Sequence, residues 1–255
     1  MCIALIAHRA HPVYALIVAA NRDEFHARPT AAAHWWPEDV LAGRDLVAGG
    51  TWFGVHRTGR VALLTNYRDG AARDPAARSR GELVVTALLG TRPPQRLLSD
   101  LLATGENYQG YSLIGGRPGD LYCVSNRNWL VKRLPDGVSG LSNHFLDSPW
   151  PKVERAKERL REAVREPSID PEVLFELLRD KTRAADHELP DTGIGLERER
   201  LLSSPFIVGE NYGTRSSTVL LVDLQGGVTF IERTFDPRGE PTGDVRHAFT
   251  IAPAP

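Results

Sequence analysis

The apolar residues of this 255-residue chain change their period in blocks, and the order of the blocks limits the folds open to it. Residues 2–7 and 13–20 are short apolar runs around a polar stretch at 8–12, the pattern of a β-hairpin. Residues 47–55 suggest a strand interrupted by Gly49 and Gly50, and 61–66 another short strand after the Thr58-Gly59 turn. A helical period then takes over. Ser79-Arg80-Gly81-Glu82 has capping-box spacing, Leu83, Val84, Ala87 and Leu88 share one face, and Gly90 is a stop signal. Residues 94–103 carry Leu97, Leu98, Leu101 and Leu102 on one side of a second helix. Strand-like runs return at 111–114 and 121–125 around a Gly-rich turn and continue over 129–134. Pro151 opens a third helix with Val153, Ala156, Leu160 and Val164 inward, and 171–179 form a fourth. Residues 182–200 are polar and punctuated by Gly and Pro, which predicts a mobile loop, followed by a short strand at 205–208. The last strands are expected at 216–223 and 228–235, with a frayed tail from 252 onward. Helices grouped in pairs between blocks of strands predict an α+β layered fold rather than a βαβ alternation. No linker composition interrupts the chain, so residues 1–255 form one domain.

Composition removes several function classes. Formal net charge is −1 and there is no basic stripe, so no case exists for nucleic acid or an anionic membrane surface. No stretch approaches the ~20 apolar residues of a membrane span. The apolar run at 13–20 leads directly into Asn21-Arg22-Asp23-Glu24, which is no signal-peptide cleavage site. The two cysteines, Cys2 and Cys123, make no disulfide framework, and their being reduced fits a cytoplasmic protein. His8 and His11 lack the further ligands of a metal site, and no haem-attachment motif occurs.

The chemistry concentrates at the N-terminus. Cys2 opens the first apolar strand directly behind Met1. Loss of Met1 would leave a thiol and a free α-amine on one residue, a nucleophile carrying its own base. Reference pKa values near ~8.5 for the thiol and ~7.8 for the amine allow both useful forms at neutral pH. The competing reading is a small residue in a buried strand. The hairpin returns Asn21-Arg22-Asp23-Glu24 beside Cys2, where Arg22 would favour the thiolate and Asp23 would hold the amine or the arginine. A solvated charged turn is the alternative for this tetrapeptide. Asn66 and Asn143 end two further apolar runs, as oxyanion donors or as ordinary turn residues. Arg215, at the start of a late strand, offers a second guanidinium.

These motifs occur together in one family. Met1-Cys2-Ile3, Asn21-Arg22-Asp23-Glu24, Ala48-Gly49-Gly50-Thr51-Trp52-Phe53-Gly54, Thr65-Asn66-Tyr67-Arg68, Ser79-Arg80-Gly81-Glu82, Gly140-Leu141-Ser142-Asn143 and Tyr212-Gly213-Thr214-Arg215-Ser216-Ser217 span nearly the whole chain. The sequence resembles the NRDE family, the transport-and-Golgi-organisation protein 2 family, for whose members a haem-trafficking role has been proposed. More remotely it is similar to the cysteine N-terminal-nucleophile hydrolases that include penicillin V acylase and bile salt hydrolase. That resemblance implies a four-layer αββα sandwich. It matches Cys2 with the nucleophile, Asp23 with the active-site aspartate, Asn66 with an oxyanion donor and Asn143 with a second polar site residue. Arg22 and Arg215 are the candidates for the arginine of such sites. In those hydrolases the arginine precedes the aspartate by more residues than Arg22 precedes Asp23.

Two expectations follow from the residues and the resemblance. The first is hydrolysis of a C–N amide or related acyl bond in a small molecule through Cys2, with no cofactor required. The second is a non-enzymatic carrier of haem or lipid on the same scaffold. Residues 182–200 are expected to lie at the mouth of the Cys2 site, as a lid or as a plain surface insertion.

Overall fold

The hairpin expected at the N-terminus forms and extends further than its apolar residues. In the computed structural model, which describes residues 2–72 and 74–252, strand β1 is Cys2–His8 and β2 is Tyr14–Phe25. The fate of Met1 and of the tail beyond 252 lies outside the described residues. Ala252 itself is pinned, donating its N–H to the Arg57 carbonyl at 3.0 Å. Four strands follow, β3 (Thr30–Trp35), β4 (Val40–Asp45), β5 (Phe53–His56) and β6 (Val61–Asn66), then helices α1 (Gly81–Leu89) and α2 (Pro94–Leu102). The middle block holds β7 (Tyr111–Arg117), β8 (Asp120–Ser125), β9 (Leu130–Arg133) and β10 (Gly137–Leu141). Helices α3 (Pro151–Ala163), α4 (Pro171–Leu178) and α5 (Leu196–Leu201) precede β11 (Tyr212–Asp223), β12 (Gly227–Phe235) and β13 (Pro241–Thr250).

The strands make two antiparallel sheets, ordered β10-β1-β2-β11-β12-β13 and β3-β4-β5-β6-β7-β8-β9. Strand alternation sends one set of side chains between the sheets and the other toward helices. Ala4, Ile6, Val18, Phe53, Leu63 and Phe230 belong to the core between the sheets. Ile3, Leu5, Ile17 and Ala19 pack against Val153, Leu160, Leu174 and Phe175 of α3 and α4. Leu64 and Leu113 pack against Leu83, Val84, Leu88 and Leu98 of α1 and α2. The layers are therefore α3/α4, sheet, sheet, α1/α2, the αββα sandwich. Each fully buried Leu, Ile or Phe contributes about 1.5–3 kcal/mol, so the three cores together fix the stacking.

Several local expectations are corrected. The capping box does not form: Arg80 precedes α1 without a side-chain cap, and Glu82 pairs instead with Arg78 at 2.7 Å and with the Tyr108 hydroxyl. Of residues 47–55 only the end is strand, because Asp45 Oδ1 collects the N–H groups of Val47 and Ala48 and Gly49 turns left-handed at φ 74°. Strands β3, β4 and β13 were not anticipated. Strand β3 has three alanines at its centre, with β-formers only at its ends, and edge strand β13 alternates exposed with half-buried residues over its second half. Residues 182–200 are not a structureless loop. They contain a single 3₁₀ turn at Asp186–Glu188 and most of α5, and Glu199 is buried. Residues 205–208 make no strand, although Phe206 and Ile207 are buried.

One cross-sheet contact gives the fold an acid sensitivity. His8, buried at the end of β1, accepts the Gly119 N–H at Nε2 (3.0 Å) and donates from Nδ1 to the Pro135 carbonyl (3.2 Å). The ring is neutral in this arrangement. Burial lowers its pKa, with Arg9 and Arg133 adding to burial and Pro135 and Asp136 opposing it. The unfolded chain then binds a proton near pH ~6.5 that the folded chain refuses, so stability falls as pH drops below that value. His8→Leu, which strands both backbone partners, is expected to cost about 1–3 kcal/mol at pH 7.5 and to flatten the loss between pH 7.5 and 5.5 in urea titrations. An unchanged pH slope in the variant would remove His8 as its source.

Candidate active site around Cys2

In the β1–β2 ladder Cys2 pairs directly with Arg22. Alternation then puts Cys2 and Arg22, with Ala4 and Ala20, on the face between the sheets, and Asn21 and Asp23, with Ala19, on the helix face. The charged tetrapeptide is no solvated turn: Asn21, Arg22 and Asp23 are all buried within β2. Each is held by partners that its burial demands. Arg22 lies 4.1 Å over the Trp52 ring and donates from Nη1 to Thr30 Oγ1 at 2.9 Å. Asp23 accepts the Thr214 hydroxyl at 2.7 Å, and its carbonyl accepts the Tyr212 hydroxyl at 3.0 Å. Asn21 donates to the Leu178 and Pro205 carbonyls, both at 2.9 Å, and accepts Ser217 Oγ at 2.6 Å. Asn21 therefore ties α4 to the sheet and does not face the thiol.

The turn after β10 closes the other side of Cys2. Ser142 Oγ donates to the Cys2 carbonyl at 3.0 Å, and Asn143, fully buried and left-handed at φ 55°, donates from Nδ2 to the Asn66 carbonyl at 3.1 Å. Asparagine tolerates that backbone better than most residues. Asn66 ends β6, which touches β1, and its side chain is half-buried. Five of the six sequence candidates, Cys2, Arg22, Asp23, Asn66 and Asn143, thus gather in one region. Within it Asn143 builds the wall, its amide being spent on Asn66. Arg215 lies at the edge of this group, close enough to feel the Arg22 charge, and its Nη1 is committed elsewhere. A bulge between Thr214 and Ser216 takes it out of the ladder, and its Nη1 gathers the carbonyls of Phe25, His26 and Arg28 at 3.0–3.1 Å. It clamps the β2–β3 turn.

The electrostatics correct one expectation. The Asp23 backbone N–H and the Arg22 guanidinium both favour the Cys2 thiolate, but burial outweighs them and pushes the thiol up. Burial likewise raises Asp23, opposed by Lys152, Thr214 and Arg22. Lys152, in the first turn of α3, is buried and donates to the Leu202 carbonyl at 2.9 Å. Desolvation first and then Arg68 lower it, against the upward pull of Asp23, Cys2 and Glu199, and the net result is about 8. Arg68, just past β6, stacks 4.4 Å over Trp150, donates its N–H to the Asn143 carbonyl at 2.8 Å and pairs with Glu199 at 3.1 Å. Residues 182–200 are thereby anchored beside the site by Glu199.

Among the described residues, no three or more His, Cys, Asp or Glu are grouped to hold a metal ion. Both cysteines are free. His144, which follows Asn143, sits in a ring cluster with Tyr67, Phe145 and Trp150 at 4.6–5.5 Å between centroids, its Nδ1 2.5 Å from Ser148 Oγ.

The family model for Transport and Golgi organisation 2 matches residues 1–237. The chain belongs to that family. It is 36% identical over 259 residues to the Homo sapiens Transport and Golgi organization protein 2 homolog, covering 92% of this chain and 93% of that protein. The Mus musculus homolog is 35% identical over 257 residues with the same shares, and the Drosophila melanogaster protein 30% over 274 residues, 94% of this chain and 95% of the other. Among solved structures, the Caenorhabditis elegans ortholog of N-acylethanolamine-hydrolyzing acid amidase superposes with TM-score 0.51 at 13% identity, covering 86% of this chain and 92% of that one. A mutant conjugated bile acid hydrolase from Clostridium perfringens gives TM-score 0.51 at 10% identity, covering 98% and 92%. These two likenesses establish a fold of the N-terminal-nucleophile hydrolase type. No helix among the described residues is long and apolar enough to cross a membrane.

Sequence reasoning missed Lys152 and Glu199. The helical period did contain a signal for Lys152, which lies on the stripe of Val153, Ala156 and Leu160. Glu199 had none, since its burial depends on Arg68 from a distant strand end. Arg68→Met is expected to cost about 3–5 kcal/mol by leaving the Glu199 charge buried and alone, and Arg68→Met with Glu199→Met to recover most of it, by urea midpoints. A single variant as stable as the double would mean the pair is not compensated in this way.

Proposed function

We propose that the chain is an N-terminal-nucleophile hydrolase acting on a C–N amide or related acyl bond through Cys2. The observation that supports this best is the direct pairing of Cys2 with buried Arg22, with the Asp23 N–H directed at the sulfur. While Met1 is attached, the nitrogen of Cys2 is a peptide nitrogen. Its removal supplies an α-amine, and an ionised Asp23 would hold that amine beside the thiol. Cys2 would attack the carbonyl as its amine takes the thiol proton, giving a tetrahedral oxyanion. Asn66 and a backbone N–H would stabilise that charge, the amine would return the proton to the leaving nitrogen, and water would then release the acyl group.

Intact mass spectrometry of protein from the native host is expected to show Met1 absent. Quantitative retention would remove the base and with it the hydrolase. At pH 8 iodoacetamide should then label Cys2 at least about tenfold faster than Cys123, whose buried thiol is pushed up to about 12. Equal rates in folded protein would count against a reactive Cys2. Cys2→Ser should lose turnover with little change in stability.

A carrier is the second reading, favoured by the half-buried His144 in its ring cluster beside Asn143. A cavity of about 180 Å³ lined by Phe145, Leu146 and Cys123 is smaller than the ~300 Å³ at which small-molecule sites begin, so haem would need the loop after β10 to move. Haem titration followed by visible absorption should saturate, and lose its spectrum in His144→Ala, if this reading holds. No saturable change would end it.

A further inference from the structure

The mechanism proposed above leaves one buried charge pair beside Cys2 without a role. Arg68 and Glu199 meet at 3.1 Å with both side chains 4% exposed, yet the contact is incomplete. Nη2 of Arg68 faces Glu199, while Nε and Nη1 are buried without an acceptor, and Glu199 Oε2 lacks a hydrogen bond. Buried polar atoms are nearly always paired, so donors left over on a guanidinium call for an explanation. Arg233 shows the ordinary outcome in this same chain, gripping Glu172 and Asp244 through paired short bonds. Arg68 is also rigidly presented, its plane on Trp150 and its backbone N–H on Asn143. A second buried cation, Lys152, feels the charges of Arg68, Asp23, Cys2 and Glu199.

We infer that Arg68, supported by Lys152, is the binding site for a carboxylate on the compound processed at Cys2, and that the Glu199 carboxylate holds that place in competition with it. The inference rests on the hydrolase reading and narrows it to N-acyl amino acids, whose leaving amine carries the carboxylate. Exchanging one carboxylate for another keeps the buried charge balanced, whereas a neutral ligand would leave Arg68 uncompensated. Entry requires α5 to shift. Glu199 Oε1 is held by the Thr192 N–H at 3.0 Å, and the backbone around Gly193 lies directly on Gly70, where an added Cβ would stand 2.9 Å from the Gly193 oxygen.

Calorimetric titration of Cys2→Ser protein with N-hexanoylglycine and with its uncharged amide, N-hexanoylglycinamide, tests the assignment. The acid should bind at least roughly tenfold more tightly. That preference should widen several-fold in Glu199→Gln, narrow in Lys152→Met, and vanish in the Arg68→Met/Glu199→Met pair, whose fold is checked by its urea midpoint. Equal affinities, no binding of the acid to any of these proteins, or an unchanged preference in Glu199→Gln would overturn it. Iodoacetamide labelling of the unsubstituted protein reports separately on the hydrolase reading. Carboxylate-selective binding with an unreactive Cys2 would keep the site and discard the enzyme, and a reactive Cys2 with no carboxylate preference would do the reverse.

Discussion

The site depends on β2 remaining a strand after its apolar residues end. Asn21, Arg22 and Asp23 continue the ladder into the interior, where an unpaired polar side chain would cost several kcal/mol. Their partners come from five other parts of the chain: Leu178 and Pro205 for Asn21, Thr30 and Trp52 for Arg22, Thr214 and Tyr212 for Asp23. Because the ladder continues, Arg22 lands opposite Cys2 rather than in solvent. The same network fixes which face each side chain takes, and so separates the guanidinium on the inter-sheet side from the carboxylate on the helix side.

Charge in this region is balanced in a ring rather than in simple pairs. Lys152 donates to the Leu202 carbonyl and compensates Asp23 and Glu199 through space. A lysine desolvated this far has lost much of its preference for the charged form. Its retention in place of an apolar residue on the α3 stripe makes sense if the carboxylate of Asp23 must stay ionised in a buried place. Stability alone would favour an apolar side chain there.

Much of this arrangement was legible in the sequence because it follows from the periods of the chain. Two short apolar runs at residues 2–7 and 13–20, joined by a tight polar turn, bring Arg22 close to Cys2. Paired helical blocks separated by strands force helices onto the outer faces of two sheets. What was illegible depended on long-range pairing. Strand β13 reads as polar loop because it is a sheet edge with one half-buried face. The sequence around Glu199 reads as loop because its helix is short and its burial is created by Arg68. The orientation of Arg215 was illegible as well: a bulge, invisible in the residue pattern, sets its Nη1 on the carbonyls of the β2–β3 turn, within the field of Arg22.

The raised thiol of Cys2 bears on how such a site could avoid misreactivity. A cysteine ionised in advance would alkylate and oxidise readily, and burial opposes that here. The counterweights are a guanidinium in register and an N–H directed at the sulfur. The protein therefore sets positive potential against a desolvation that raises both the Cys2 thiol and the Asp23 carboxyl. In the hydrolysis proposed for this site, the proton balance would turn on the base at the sulfur, and an α-amine released at residue 2 would be that base.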